Sequence, residues 1–156
     1  MRKLLVVVAA VSALVAVGAV GSQAHRRHGA QHGTRTHQVT IPGEDRFAPF
    51  AVTIHAGDSV RWVNHDTDDH TVVSDNAFNT AGHTGTDSLV PAGTAFTLHF
   101  SHPGTFVYYC RFHAHLDSFN QPVAPGPDGG IQDSNGNFGT PMSGVVTVLP
   151  SNGQHS

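Results

Sequence analysis

The sequence predicts an all-β protein: a Greek-key β-sandwich of about eight strands, expected to be antiparallel, with a long inserted loop before the last strand. Three observations carry that expectation. Short runs rich in Val, Thr and aromatic residues recur between clusters of turn-forming residues. Several runs alternate with period two, so that Phe96, Leu98 and Phe100 share one strand face while Thr97 and His99 take the other. No helical stretch of useful length competes with them. At 156 residues the chain can bury one sizeable core and is too short to suggest two.

Along the chain, Arg2 and Lys3 precede an apolar run from Leu4 to Val20, and "SQA" at 22–24 offers small residues for cleavage. Residues 1–24 therefore read as a secretory signal peptide. An uncleaved membrane anchor is the alternative, but the run is at the short edge of a span. Removing Arg2 and Lys3 leaves six basic against eleven acidic residues, a net charge of −5. That argues against nucleic acid as a partner, because neutralising phosphates needs a basic face. Residues 25–37, "HRRHGAQHGTRTH", have no hydrophobic period and read as a His-rich flexible arm.

The folded domain is expected over 38–150. Strands are predicted at "FAPFAVTI" (47–54), "SVRWVN" (59–64), "HTVVS" (70–74), "TAFTLHF" (94–100), "TFVYYC" (105–110) and "SGVVTVLP" (143–150). Turns fall at "HAGD", "HDTDD", "VPAG" and "SHPG". Trp62 and its flanking valines read as core. In the fifth run Phe106, Tyr108 and Cys110 would point the same way, which turns Cys110 inward at the end of a core strand. From Asp117 to Pro141 the β pattern vanishes and nine of 25 residues are Gly or Pro, so this segment reads as an inserted loop. A tail at 151–156 is expected to be disordered.

Cys110 is the single cysteine, so it makes no internal disulfide. In an oxidising compartment a free thiol is a liability and is kept for chemistry. Taken singly, Cys110 reads as a buried thiol and Met142 as core packing. Three separate places change that reading. His70 follows the strand carrying Trp62, Cys110 and His113 stand in Cys-x-x-His spacing at a strand end, and Met142 directly precedes the last strand. Two imidazoles, a thiolate and a thioether form a soft, mixed donor set that suits a blue-copper site with an axial Met.

The run "PFAVTIHAGDSVRWVNHDTDDHTVVS…GTAFTLHFSHPGTFVYYCRFHAH…MSGVVTV" resembles the cupredoxins, specifically the bacterial plastocyanin-like group. The likeness covers residues 39–116 and 141–149. It rests on "AGD" before "VRWVN", a His followed by "TV", "PGTFVYYC", Cys-x-x-His, and Met-x-Gly-x-Val-x-Val, in the expected order. The resemblance implies an eight-stranded sandwich that binds one type 1 copper and shuttles single electrons, with His70, Cys110, His113 and Met142 as ligands. It also implies that His113 shows its ring edge at the surface as the electron port.

Two departures matter. In such proteins the second His and the Met are close in sequence, whereas here 28 residues separate His113 from Met142. His115, Asp117 or Gln121 is therefore an alternative or additional metal ligand. The residue after the first His is Thr71, where relatives often carry an Asn that ties the ligand loops together; Asn64 is a candidate substitute. The acidic residues Asp66, Asp68 and Asp69 lack the Gly and distal Glu of a calcium loop and read as a solvated turn. His55, His65, His83, His99 and His102 fall at turns or on an outward face.

The function expected from the sequence is that of an exported copper protein transferring single electrons between redox partner proteins. It would be a monomer, periplasmic or extracellular, with no stable membrane insertion once the signal is removed, and no enzyme. The alternatives are a copper-site enzyme and a copper storage or delivery protein with a non-blue site. A cysteine hydrolase would need Cys110 exposed beside a base, which an inward strand position disfavours. Storage would rest on the His-rich arm.

Overall fold

Alternation is the main determinant of the architecture. In the computed structural model, which describes residues 33–75, 78–126, 129–131 and 138–151, there are ten strands and no helix. They are β1 (Thr36–Ile41), β2 (Ala51–His55), β3 (Ser59–Asn64), β4 (His70–Ser74), β5 (Thr86–Val90), β6 (Ala95–His99), β7 (Gly104–Tyr109), β8 (His115–Leu116), β9 (Pro122–Val123) and β10 (Ser143–Leu149). Eight of them build two sheets, ordered β1-β3-β6 and β2-β10-β7-β4-β5. The chain crosses between the sheets at every step except β4 to β5 and β7 to β10, and the connections are those of a Greek-key sandwich.

The pairing is mixed rather than wholly antiparallel. β1 runs parallel to β3 and β2 runs parallel to β10, while the remaining pairs of the two sheets are antiparallel. A parallel partner lies far away in sequence and leaves no hairpin signal between the two strands. The short turns of the sequence therefore report only the antiparallel pairs.

Inward positions meet in one core. Trp62 on β3 stacks on Phe96 at a centroid distance of 5.8 Å and meets Tyr108 of the opposite sheet edge-on at 5.2 Å. Phe106, Tyr108 and Cys110 are all fully buried, as the alternation of β7 predicts. Tyr108 faces Gly144 across the β7–β10 ladder, and a Cβ at 144 would come within 2.5 Å of the phenol ring. Packing therefore requires glycine at this position.

The described residues of 117–141 have more order than the composition of the segment suggests. β8 and β9 pair as a short antiparallel ladder. Its turn is closed by Asp117, whose carboxylate accepts the N–H groups of Phe119 and Gln121 at 2.8 and 2.9 Å. Farther along, Ile131 and Thr140 form an isolated antiparallel bridge that returns the chain to Met142, and Ile131 packs against the core.

β1 begins at Thr36, inside the last two residues of the segment read as a flexible arm. The Nε2 of His37 bonds the carboxylate of Asp58 at 3.1 Å, which anchors the strand. Residues 1–24, read as a signal peptide, residues 25–32 and most of the tail lie outside the described residues.

Candidate metal centre

Cys110 stands one residue beyond β7, at the point where the chain leaves the sheet. Its carbonyl accepts the N–H of His113 at 3.1 Å, closing a turn that folds His113 back over the sulfur. His70 opens β4, which pairs with β7 at Val73–Tyr109. The Sγ of Cys110 lies 3.8 Å from Nδ1 of His70 and 3.6 Å from Nδ1 of His113. The three donor groups all lie within 4.8 Å of one another. Strand ladder and turn thus gather three residues that the sequence spreads over Cys110, His113 and the distant His70.

Burial alone would push the thiol of Cys110 up. Hydrogen bonds from His113, His70 and the Thr71 N–H outweigh it and bring the pKa down to about 5. The same pairing raises His113, chiefly through its contact with the sulfur. For His70, burial works against the imidazolium, yet bonds to Cys110 and Asp66 raise its pKa. The metal-free site is thus already disposed to hold a thiolate.

Thr71 stands where the resemblance led to the expectation of an Asn. Its N–H donates to Sγ at 3.4 Å and its hydroxyl lies 3.7 Å from Sγ. The hydroxyl also accepts the N–H of Arg111 at 2.9 Å, joining the loop after His70 to the one after Cys110. Asn64 does not make this tie. It is buried and braces the preceding turn, donating to the carbonyls of Asp68 and Val90 at 2.7 and 2.9 Å and accepting the N–H of Asp66 at 2.9 Å.

Met142 reaches the same place from the far end of the insertion. Its carbonyl accepts the N–H of Cys110 at 3.0 Å, and its own N–H donates to the carbonyl of His113 at 3.2 Å. Its side chain is fully buried in the core cluster that includes Cys110. Of the alternatives, His115 is exposed in β8, Gln121 is exposed, and the carboxylate of Asp117 is spent on its own turn.

The acidic turn needs a correction. Asp68 and Asp69 are exposed, but Asp66 is not solvated: its side chain is only 9% exposed and its carboxylate lies 3.1 Å from Nε2 of His70. Asp66 is lowered below the usual carboxylate range; burial opposes this, but the bond to His70 prevails. Asp45, which the sequence reading missed, places its Oδ1 3.5 Å from Nε2 of His113 and 3.9 Å from Nε2 of His70. Nothing in "PGEDRF" marks that residue. Asp66 stands four residues before His70, a spacing that could have pointed to it, but a carboxylate in a turn reads as solvated.

A family model described as a cupredoxin-like domain matches residues 8–118, a span that contains His70, Cys110 and His113 and stops before Met142. Plastocyanin from Scenedesmus fuscus is 33% identical over 72 residues, covering 43% of this chain and 74% of that protein. Among solved structures, amicyanin from Paracoccus versutus is 20% identical over 72% of this chain and 80% of its own, with a TM-score of 0.46. A Cu(I) form of an amicyanin mutant is 19% identical over 72% of this chain and 81% of its own, with a TM-score of 0.49.

Proposed function

This chain belongs to the cupredoxin-like family, and from that premise we propose that it binds one copper ion through His70, Cys110, His113 and Met142 and passes single electrons between redox partner proteins. The observation that carries the proposal is the convergence of two Nδ1 atoms on one buried thiol, 3.8 and 3.6 Å away, whose pKa is drawn down to about 5. A thiolate, two imidazoles and a nearby thioether residue fit the preference of copper for soft and imidazole donors combined. The plastocyanin likeness supports the same reading.

Bound copper supplies a one-electron Cu(I)/Cu(II) couple. The residues of the chain do the rest. β4, β7 and the start of β10 hold the donors on one hydrogen-bonded framework, so that little rearrangement accompanies a change of charge. The complete burial of His70, Cys110 and Met142 keeps water from them. His113, with 23% of its side chain exposed, presents a ring edge through which an electron can pass to a docked partner. Thr71 directs an N–H and a hydroxyl at the sulfur, the kind of contact that tunes a thiolate site.

We place the protein outside the cytoplasm, exported through residues 1–24 to the periplasm or the extracellular space, as a monomeric carrier and not an enzyme. His115, the residue the sequence offered for a second copper, is exposed and belongs to neither donor group, and the second group, Asp45, Asp66 and His70, shares His70 with the first.

The test is the visible and EPR spectrum of the protein loaded with one equivalent of Cu(II), beside Met142→Ala. An intense thiolate-to-copper band with narrow hyperfine splitting, perturbed in the variant, is expected. A weak band with wide splitting that ignores Met142 would replace the electron carrier with a different copper protein.

A further inference from the structure

Both candidate ligand imidazoles turn Nδ1 to the sulfur, and both turn Nε2 toward a carboxylate. Nε2 of His70 lies 3.1 Å from Oδ2 of Asp66, and Nε2 of His113 lies 3.5 Å from Oδ1 of Asp45. The same oxygen of Asp45 is 3.9 Å from Nε2 of His70, so it faces both rings at once. We propose that Asp66 and Asp45 form a carboxylate clamp that positions both ligand imidazoles and biases the site toward the dipositive metal. This rests on the copper reading above.

The local structure is built to aim these two groups. Asp66 lies in a turn braced by the buried Asn64, which accepts its N–H at 2.9 Å and donates to Asp68 and Val90 on either side. The carboxylate is thereby carried inward, where a solvated turn would leave it in water. Asp45 has φ 48°, in the left-handed region that side chains with a Cβ visit at a cost and that Asp tolerates better than most. That conformation sits in the segment between β1 and β2, which crosses the end of the sandwich where His70 and His113 meet.

Two consequences follow from the chemistry. An imidazole that donates Nε2–H to a carboxylate has its tautomer settled, with Nδ1 bare and facing the metal position, and its basicity raised. Each carboxylate also adds negative charge next to the centre. With a thiolate and two neutral imidazoles as the charged and neutral donors, Cu(II) leaves one positive charge and Cu(I) leaves none. The two aspartates therefore attract the oxidised form more than the reduced one, with less screening at Asp66 than at the more exposed Asp45. Asp66, nearer and more buried, is the stronger partner. Asp45 acts on the partly exposed His113, where it restrains the ring that the proposed electron path uses.

The experiment pairs a structural readout with an affinity readout. In the Zn(II)-loaded protein, nitrogen-resolved NMR should show Nε2–H signals from both His70 and His113, protected from exchange with water, the His70 proton more so. Asp66→Leu should weaken Zn(II) and Cu(II) binding by about 10- to 100-fold, and Asp66→Asn, which keeps an acceptor but loses the charge, by less. In Asp66→Asn and Asp45→Asn the Cu(II) affinity should fall more than the Cu(I) affinity, so the midpoint potential rises, most for position 66. Freely exchanging Nε2–H protons on both rings overturns the clamp, as does an unchanged Cu(II)-to-Cu(I) affinity ratio in both Asn variants. The near-isosteric Asn variants and the unmutated protein carry the test even if Asp66→Leu does not fold. If the unmutated protein lacks a thiolate-to-copper band while its zinc form shows both protected protons, the electron-carrier reading falls and the clamp stands.

Discussion

Two connections deliver the candidate ligands, and they solve the same problem by opposite means. The short turn at 65–69 carries the chain from β3 to His70 and is organised from within by one buried side chain, Asn64. The long segment between His113 and Met142 is organised from without. Its ends are tied by backbone bonds, Cys110 N–H to Met142 and Met142 N–H to His113, while its interior closes on itself through β8–β9 and the Ile131–Thr140 bridge. The length of a connection therefore matters less than where its hydrogen bonds are anchored. An insertion that closes on itself leaves the residues at its base in register.

The comparison is broken most severely at Asn64. Asn64→Leu removes two donations and one acceptance, leaving the carbonyls of Asp68 and Val90 and the N–H of Asp66 without that partner. The Val90 bond is fully buried, so we expect a loss of about 3 kcal/mol in the urea unfolding of the metal-free protein. A change below the scatter of such extrapolations would show that the turn does not depend on its internal brace.

The insertion has a matching weak point at Gly130. Its φ is +82°, and a Cβ there would stand 2.2 Å from the carbonyl oxygen of Thr140. Gly130→Ala should cost about 2 kcal/mol, confined to the insertion. Amide exchange should speed up at Ile131 and Gly139 and stay slow at Cys110. Loss of protection at Cys110 as well would mean that the insertion and the ligand framework open as one unit.

A smaller effect is expected where the two ligand loops are joined. Thr71→Val keeps the shape but deprives the N–H of Arg111 of its acceptor and the sulfur of a hydroxyl. The expected cost is about 1 kcal/mol, with faster amide exchange at Arg111, and Thr71→Ser should restore most of it. Equal behaviour of the Val and Ser variants would remove the hydroxyl from the account.

These sites also show what the sequence could and could not disclose. Strands with apolar residues at alternate positions were legible, and so was the inward turn of Cys110, because period two converts directly into a face. β5 was not, since "TDSLV" has only two apolar residues and lies at the edge of its sheet. β1 was hidden by its polar outer face and by a parallel partner far away in sequence. Met142 kept its legible register with Gly144, Val146 and Val148, three residues that are all buried. Thr71 was read as a missing tie, although its hydroxyl and N–H make the tie themselves. Asp66 and Asp45 were hidden for a different reason: a carboxylate in a turn looks solvated until the fold brings an imidazole to it.

A pH dependence separates the sulfur from the imidazoles around it. In the metal-free protein Cys110 has its pKa lowered from 9.0 to about 5, so between those values the unfolded chain binds a proton that the folded one does not. Stability from this group is therefore complete above pH 9 and declines as the pH falls, until it is gone near 5. His70 and His113 have pKa values raised from 6.5, so their contribution is complete below 6.5 and is lost at higher pH. Between pH 5 and 6.5 the thiol acts without that opposition, and the thermal midpoint should rise with pH. Above 6.5 two imidazoles keep protons in the folded chain against the one the thiol sheds, so the rise should stop and turn into a fall. Cys110→Ser should abolish the slope between 5 and 6.5. A midpoint that is level across that interval in the unmutated protein would show that the thiol is still protonated there, and that the thiolate forms only when a metal binds.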